Sequence, residues 1–477
     1  MRILILIIIA LLPITAKAEP ATDITITVDN YPSSPVILGY YFNGQMLVKD
    51  TVTTDAKGVA HYVRNEKLPE GIYLVFFPQN QHLFDIIISD DQTFSIKCDT
   101  LPDVSSRVQA KGCNVLSDFI DYQNYLKKRS EEQKALSDAY KALAPDDNDG
   151  KERIRTQFAE IDKQVKAHNN EMIERNKDNF LSVFLRSLKE IEVPKTFDVK
   201  ETGAARDSAL QAKRYYYYRE HYFDNIDFAD DRLLRTPTLM SKVDKYFDET
   251  LPQLADTVAL EAIKIIEKSR PNKECFRFYV SHFYNMANNS KIMGMDAALV
   301  IIADKYYLSG EADWAEKKFI DDLREQIENI RYTLIGKQAV DLKMISNTGE
   351  WFKLSETSAP FTILVFWEPS CGHCKKEIPE LKKQVWDKYK KDGIKIFAVY
   401  CQVEPKEWEE FIEEHELDEW INVYDPYGRT GFRKYYNIKS TPQIYILDKD
   451  KKIIAKKIGV EQIGDFLDFM MGKDKQQ

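Results

Sequence analysis

Phe361-Thr362-Ile363-Leu364-Val365-Phe366-Trp367-Glu368-Pro369-Ser370-Cys371-Gly372-His373-Cys374 is the stretch that decides the fold of the C-terminal part of this chain. Phe361 to Trp367 is apolar apart from one threonine and rich in β-branched and aromatic residues, so it reads as a strand buried on both faces. Pro369 and Ser370 end it, and Lys375 to Tyr389 takes up a helical pattern. Two thiols therefore stand where a buried strand hands over to a helix. The free N–H groups and dipole of a helix start favour an anion, which makes Cys371 the nucleophile. Cys374, one turn inside, is the more buried resolving thiol with the higher pKa. Such a pair can close a disulfide and pass it on by exchange. Gly372 leaves room for an approaching backbone, and His373 can give the thiolate a hydrogen bond or a positive charge, which makes the pair more oxidising than a Gly-Pro linker would. No metal is assigned, because Cys371, His373 and Cys374 lack a second ligand pair at a suitable spacing.

Around this turn the sequence alternates strand and helix. Ile394 to Cys401 and Asn422 to Tyr424 read as strands, and Gln443 to Leu447 with Lys452 to Lys456 as a hairpin about Asp448-Lys449-Asp450. Lys406 to His415, Gly428 to Tyr435 and Glu461 to Met470 read as helices. An α/β sheet covered by helices is implied.

Phe366 to Pro379, followed by Ser440-Thr441-Pro442, resembles the active site of thioredoxin-fold proteins, and most closely that of the exported TlpA/ResA-like thiol-disulfide oxidoreductases. Gly336 to Leu354 resembles the N-terminal hairpin with which those proteins extend the fold. The resemblance implies a thioredoxin-like domain over 334–477 with no cofactor beyond a redox-active Cys371–Cys374 disulfide. It gives Glu377, one helical turn below the thiols, the part of managing their protons. It also makes Pro442 a cis-proline that holds the Thr441 backbone beside Cys371 to pair with an extended substrate, where the residue type alone would favour a trans bond. Pro379 is expected to kink the helix. Ser370 stands where many relatives have tryptophan. Val365 stands where cytosolic thioredoxins bury an aspartate, leaving Glu377 as the candidate proton acceptor, and Trp367 is a packing residue.

The rest of the chain is longer and carries less chemistry. From Asp23 to about Asp99, seven short alternating runs separated by turn residues such as Asn43-Gly44 predict an antiparallel β-sandwich over 19–114. From 115 to 333 the period is helical. Ile154, Phe158, Ile161, Val165, His168 and Met172 lie on one helix face, and Asp146 to Gly150 separates that helix from the one before it, which predicts a helical hairpin. His168 is read as a packed histidine, not a ligand. Tyr215 to Tyr218, four tyrosines in a row, cover every side of a helix and read as contacts between helices or domains in preference to a peptide-binding surface. These two zones resemble N-terminal domains of unassigned function in Bacteroidetes proteins of this type.

Among 477 residues there are six cysteines, too few for a disulfide scaffold. Cys401 at the end of a strand reads as buried and inert, with a third redox thiol as the alternative; Cys275 reads as core, and spacing alone leaves a Cys98–Cys113 bridge open. A net charge of −9 with interspersed signs argues against nucleic acid as partner. Arg2 followed by the apolar run Ile3 to Leu12 and by Ala16-Lys17-Ala18 predicts a signal peptide over 1–18, cleaved after Ala18, and hence a periplasmic protein. The expected function is disulfide exchange with thiols or disulfides of envelope proteins, together with an upstream redox partner such as a membrane reductase. A thiol peroxidase of the peroxiredoxin type is disfavoured, because Glu368 occupies the place where those enzymes carry a threonine. A partner-binding protein with secondary redox activity is the remaining alternative.

Overall fold

The computed structural model describes residues 20–100 and 103–473; the expected leader at 1–18 lies outside them. The alternating N-terminal runs become β1 (Thr22–Val28), β2 (Pro35–Phe42), β3 (Gln45–Thr53), β4 (Val59–Arg64), β5 (Gly71–Phe77), β6 (His82–Ile88) and β7 (Thr93–Cys98). A three-residue β8 (Gln109–Lys111) adds to these. β1 buries every second residue, as a strand with one core face must. Two four-stranded sheets result, ordered β4-β1-β7-β8 and β3-β2-β5-β6. All pairs are antiparallel except β1 with β7, which run parallel. Only a tight hairpin forces antiparallel pairing, and five strands intervene between these two.

The helical pattern forms α1 (Asn114–Ala142) and α2 (Asn148–Arg175), packed as a hairpin in which Arg129 donates to Gln164 at 3.0 Å. His168 is packed as expected, its ring stacked on Tyr125 at 3.9 Å between centroids. α3 (Phe180–Leu188), α4 (Ala204–His221) and α5 (Leu239–Lys245) follow. On α4 the Tyr215 hydroxyl donates to the Thr250 carbonyl, Tyr217 meets Phe197 and Tyr218 meets Tyr222, while Tyr216 is 61% exposed.

Compactness divides the chain between Thr250 and Leu251, so the helical zone expected at 115–333 is shared by two units. Side chains explain both departures from the sequence boundaries. In the first unit Arg235 donates to the Glu70 carbonyl at 2.7 Å and Arg232 pairs with the Glu70 carboxylate, tying the helical zone to the start of β5. In the second, buried Lys456 pairs with Asp296, the Lys456 amide donates to Met293 Sδ, and the Tyr332 ring meets Tyr435.

The second unit opens with α6 (Ala255–Ser269), α7 (Lys273–Asn289), α8 (Asp296–Ile302) and α9 (Lys317–Arg331). A seven-stranded sheet then builds from β9 (Lys343–Ser346), β10 (Trp351–Lys353), β11 (Phe361–Trp367), β12 (Lys395–Tyr400), β13 (Ile421–Tyr424), β14 (Gln443–Asp448) and β15 (Ile453–Lys456). Its order is β10-β9-β13-β12-β11-β14-β15, with β11 parallel to β12 and antiparallel to β14. Alternation along β11 explains its unbroken apolar sequence. Ile363, Val365 and Trp367 enter one core, and Leu364 and Phe366 enter the core on the other face. Trp367 packs on Phe411 with centroids 5.0 Å apart.

α10 (Gly372–Leu381) follows β11 directly and continues through a π-helical turn at Lys382–Trp386 into α11 (Asp387–Tyr389). Pro379 has no N–H to donate, and the irregularity appears three residues later, where the Lys382 amide is shared by the carbonyls of Ile378 and Pro379. α12 (Pro405–Glu414), α13 (Phe432–Tyr435) and α14 (Val460–Met470) complete the unit. α13 is shorter than the helix expected from Gly428, because the Asp425 carboxylate accepts from the amides of Arg429 and Thr430 and holds that segment as a turn. No helix among the described residues is long and apolar enough to cross a membrane.

Candidate active site

Strand β11 ends at Trp367, and the turn behind it is closed by the Cys371 amide, which donates to the Glu368 carbonyl at 3.2 Å. Cys371 is the N-cap of α10, and its own carbonyl accepts from the Lys375 amide at 3.1 Å. This half-buried residue keeps its sulfur at the surface, whereas Cys374 is fully enclosed in the core beneath. Both are free thiols. The Thr441–Pro442 peptide bond is cis, and the Cys371 thiol donates to the Thr441 carbonyl at 3.2 Å. The loop before β14 and the start of α10 thus meet at the Cys371 sulfur.

The two thiols differ in acidity for reasons of position. Hydrogen bonding with the Thr441 side chain is the chief influence holding Cys371 below the usual thiol range; partial burial opposes it, and amides of the first turn of α10 assist. Burial pushes Cys374 up to about 12. The thiol held more acidic is therefore the less buried of the two.

Gly372 and His373 are exposed, and open space surrounds the position a Gly372 Cβ would take. Glu377 is half-buried and shares with Pro442 the wall of a cavity of about 520 Å³. Cys371, Cys374, Thr441 and Pro442 are thus brought together, with Glu377 beside them. Cys401 is not part of this group. It lies in the core on the opposite face of the sheet from Cys374, where burial pushes it up to about 12. Cys98 and Cys113 are both free and buried. No cluster of three or more acidic, histidine or cysteine side chains able to hold a metal occurs among the described residues.

The sequence reading gave Glu368 no structural part in the site and did not include Gln402. Glu368 accepts from the Thr441 hydroxyl at 3.1 Å through one carboxylate oxygen and from the Gln402 amide through the other. A single carboxylate therefore ties the end of β11 to the cis-proline loop and to the residues after β12. The hydroxyl of Thr441 has one proton, and the Cys371 thiolate and Glu368 compete for it. An acid directly after a buried strand was the available signal, but its partners lie 34 and 73 residues away.

Residues 335–456 match the AhpC/TSA family. A thiol-disulfide oxidoreductase ResA of Bacillus cereus is 26% identical over 125 residues, which span 26% of this chain and 70% of that protein. ResA of Halalkalibacterium halodurans is 30% identical over 99 residues, spanning 20% of this chain and 56% of that protein. Among solved structures, a domain of a possible thiol-disulfide isomerase from Cytophaga hutchinsonii is 40% identical, with a TM-score of 0.28, over 30% of this chain and 97% of that one. The region before residue 335 stays unassigned. Residues 335–456 are a thioredoxin-like domain of the AhpC/TSA family with ResA thiol-disulfide oxidoreductases among its relatives, and the chain that carries it is an oxidoreductase.

Proposed function

We propose that this chain exchanges disulfides with proteins of the cell envelope through Cys371-Gly372-His373-Cys374. The observation that carries the reading is the asymmetry of the pair: an accessible thiol held below its usual range against the cis-proline loop, and an enclosed one pushed up to about 12.

In the reducing direction the Cys371 thiolate attacks one sulfur of a substrate disulfide. An S–S bond forms between Cys371 and that sulfur, and the other substrate sulfur leaves as thiolate and takes up a proton. Cys374 then loses its proton and attacks Cys371 Sγ. The substrate's remaining sulfur departs, and Cys371–Cys374 is left as a disulfide. Two electrons and two protons have passed from the chain to its substrate, and a dithiol donor, such as an upstream membrane reductase, must restore them. Run backwards, the same steps oxidise a substrate dithiol. No bound cofactor is needed. Burial of Cys374 makes removal of its proton the demanding step, and Glu377, three residues further along α10, is the group to accept it. The Thr441 backbone beside Cys371 offers hydrogen bonds to an extended substrate, and the exposed Gly372-His373 pair sets the potential. The apolar run behind Arg2 supports export to the periplasm.

The test is turnover of insulin and of scrambled ribonuclease, alongside peroxide consumption. The expected result is disulfide turnover that needs both thiols, with mixed disulfides accumulating on Cys371 in the Cys374→Ser variant. Peroxide consumption without disulfide exchange would overturn the reading.

A further inference from the structure

The cavity lined by Pro442 and Glu377 is also lined by the turn after α7. Residues before the thioredoxin-like domain therefore help form a surface beside its nucleophile. Gly294, at φ +85, permits this turn, and Ile292 and Met293 stand 44% and 40% exposed on it. A cavity of about 520 Å³ in this place exceeds what one side chain fills, and it adjoins Pro442, whose neighbour Thr441 hydrogen-bonds the Cys371 sulfur.

Charge identifies what fits there. Lys291 comes from the turn after α7, Lys439 from the cis-proline loop and Lys457 from the end of β15. All three are exposed, and none makes an ion pair among the described residues. Lys456 differs, because it is buried and neutralised by Asp296. Glu377 is the single unpaired acid on the wall. The border thus carries three free cations in a chain whose net charge is −9.

We propose that this lysine-bordered groove receives an extended acidic polypeptide segment flanking the substrate cysteine, so that the residues before the family domain select the substrate. This inference rests on the dithiol reading above. Field complementarity of this kind speeds encounter and suppresses wrong partners more than it adds affinity, and it fades as salt shortens the screening length to less than about 8 Å.

The test uses the prereduced full chain and three synthetic peptides. Each carries one cysteine blocked as its S-methyl disulfide, flanked by Asp, by Ser or by Lys. Reduction converts the Cys371 and Cys374 thiols to a disulfide and releases the peptide thiol and methanethiol. The expected second-order rates fall in the order Asp, Ser, Lys, with about a tenfold ratio between the extremes at low salt that shrinks at about 0.5 M salt. Lys291→Glu and Lys439→Glu, made separately at exposed positions, should each bring that ratio towards one. Equal rates for the three peptides, or a ratio unchanged in both variants, would overturn the groove while leaving the dithiol reading intact. Failure to reduce any of the three would overturn both.

Discussion

The two compact units treat cysteine in opposite ways. In the first, Cys98 and Cys113 are sealed in apolar surroundings, and burial raises both, Cys98 to about 12. In the second, Cys275, Cys374 and Cys401 are buried as well, but Cys371 stands half-exposed at a helix start against a loop that hydrogen-bonds its sulfur. Residue type is the same throughout. What differs is whether the fold leaves a thiolate somewhere to be stabilised, and it does so at one sulfur of six.

That contrast is broken most directly by exchanging cysteines for serine. Cys371→Ser should lower insulin reduction by about a thousandfold or more, whereas Cys98→Ser should leave turnover per folded molecule unchanged. Comparable losses from both would show that the first unit takes part in the chemistry. Next in size is Asp296→Ala, which leaves the Lys456 ammonium buried without its partner. Chemical unfolding should register a loss of about 3–5 kcal/mol confined to the second unit.

Thr441→Val sharpens the comparison at the thiol itself. Without the hydroxyl, the midpoint of the pH dependence of Cys371 alkylation should move up towards that of an ordinary thiol, and alkylation at neutral pH should slow; an unmoved midpoint would assign the acidity to the helix start alone. The last effect concerns alkaline stability. Folded Cys98, Cys374 and Cys401 keep their protons to about 12, while an unfolded chain releases them above about 8.5. Their contribution is therefore fully present below the unfolded value and is lost as pH rises from there towards 12. The reduced protein's unfolding midpoint should fall over that window, and less steeply in Cys98→Ala.

Local signals made much of this legible. Period-two alternation found β1 to β7, the helical stripe from Ile154 to Met172 found α2, and the apolar run of β11 followed by two thiols located the site. The parallel pairing of β1 with β7 left no trace, because nothing in either strand records its neighbour's direction. The break at Thr250 was hidden for a similar reason: Arg235 to Glu70 and Lys456 to Asp296 are contacts across more than 150 residues. Glu368 shows the same limit at the site. Its place three residues before Cys371 was visible, but its meaning depends on Thr441 and Gln402, which only the folded sheet brings to it.

The buried pair of Lys456 and Asp296 has a mechanical consequence. It rivets the end of β15 to the start of α8, so the two walls of the lysine-bordered groove cannot move apart without separating opposite charges in a poorly hydrated place. The groove is thereby held at a set width. A guest segment would meet a jaw already held at its working gape, so little ordering of the host would be subtracted from the contacts it makes.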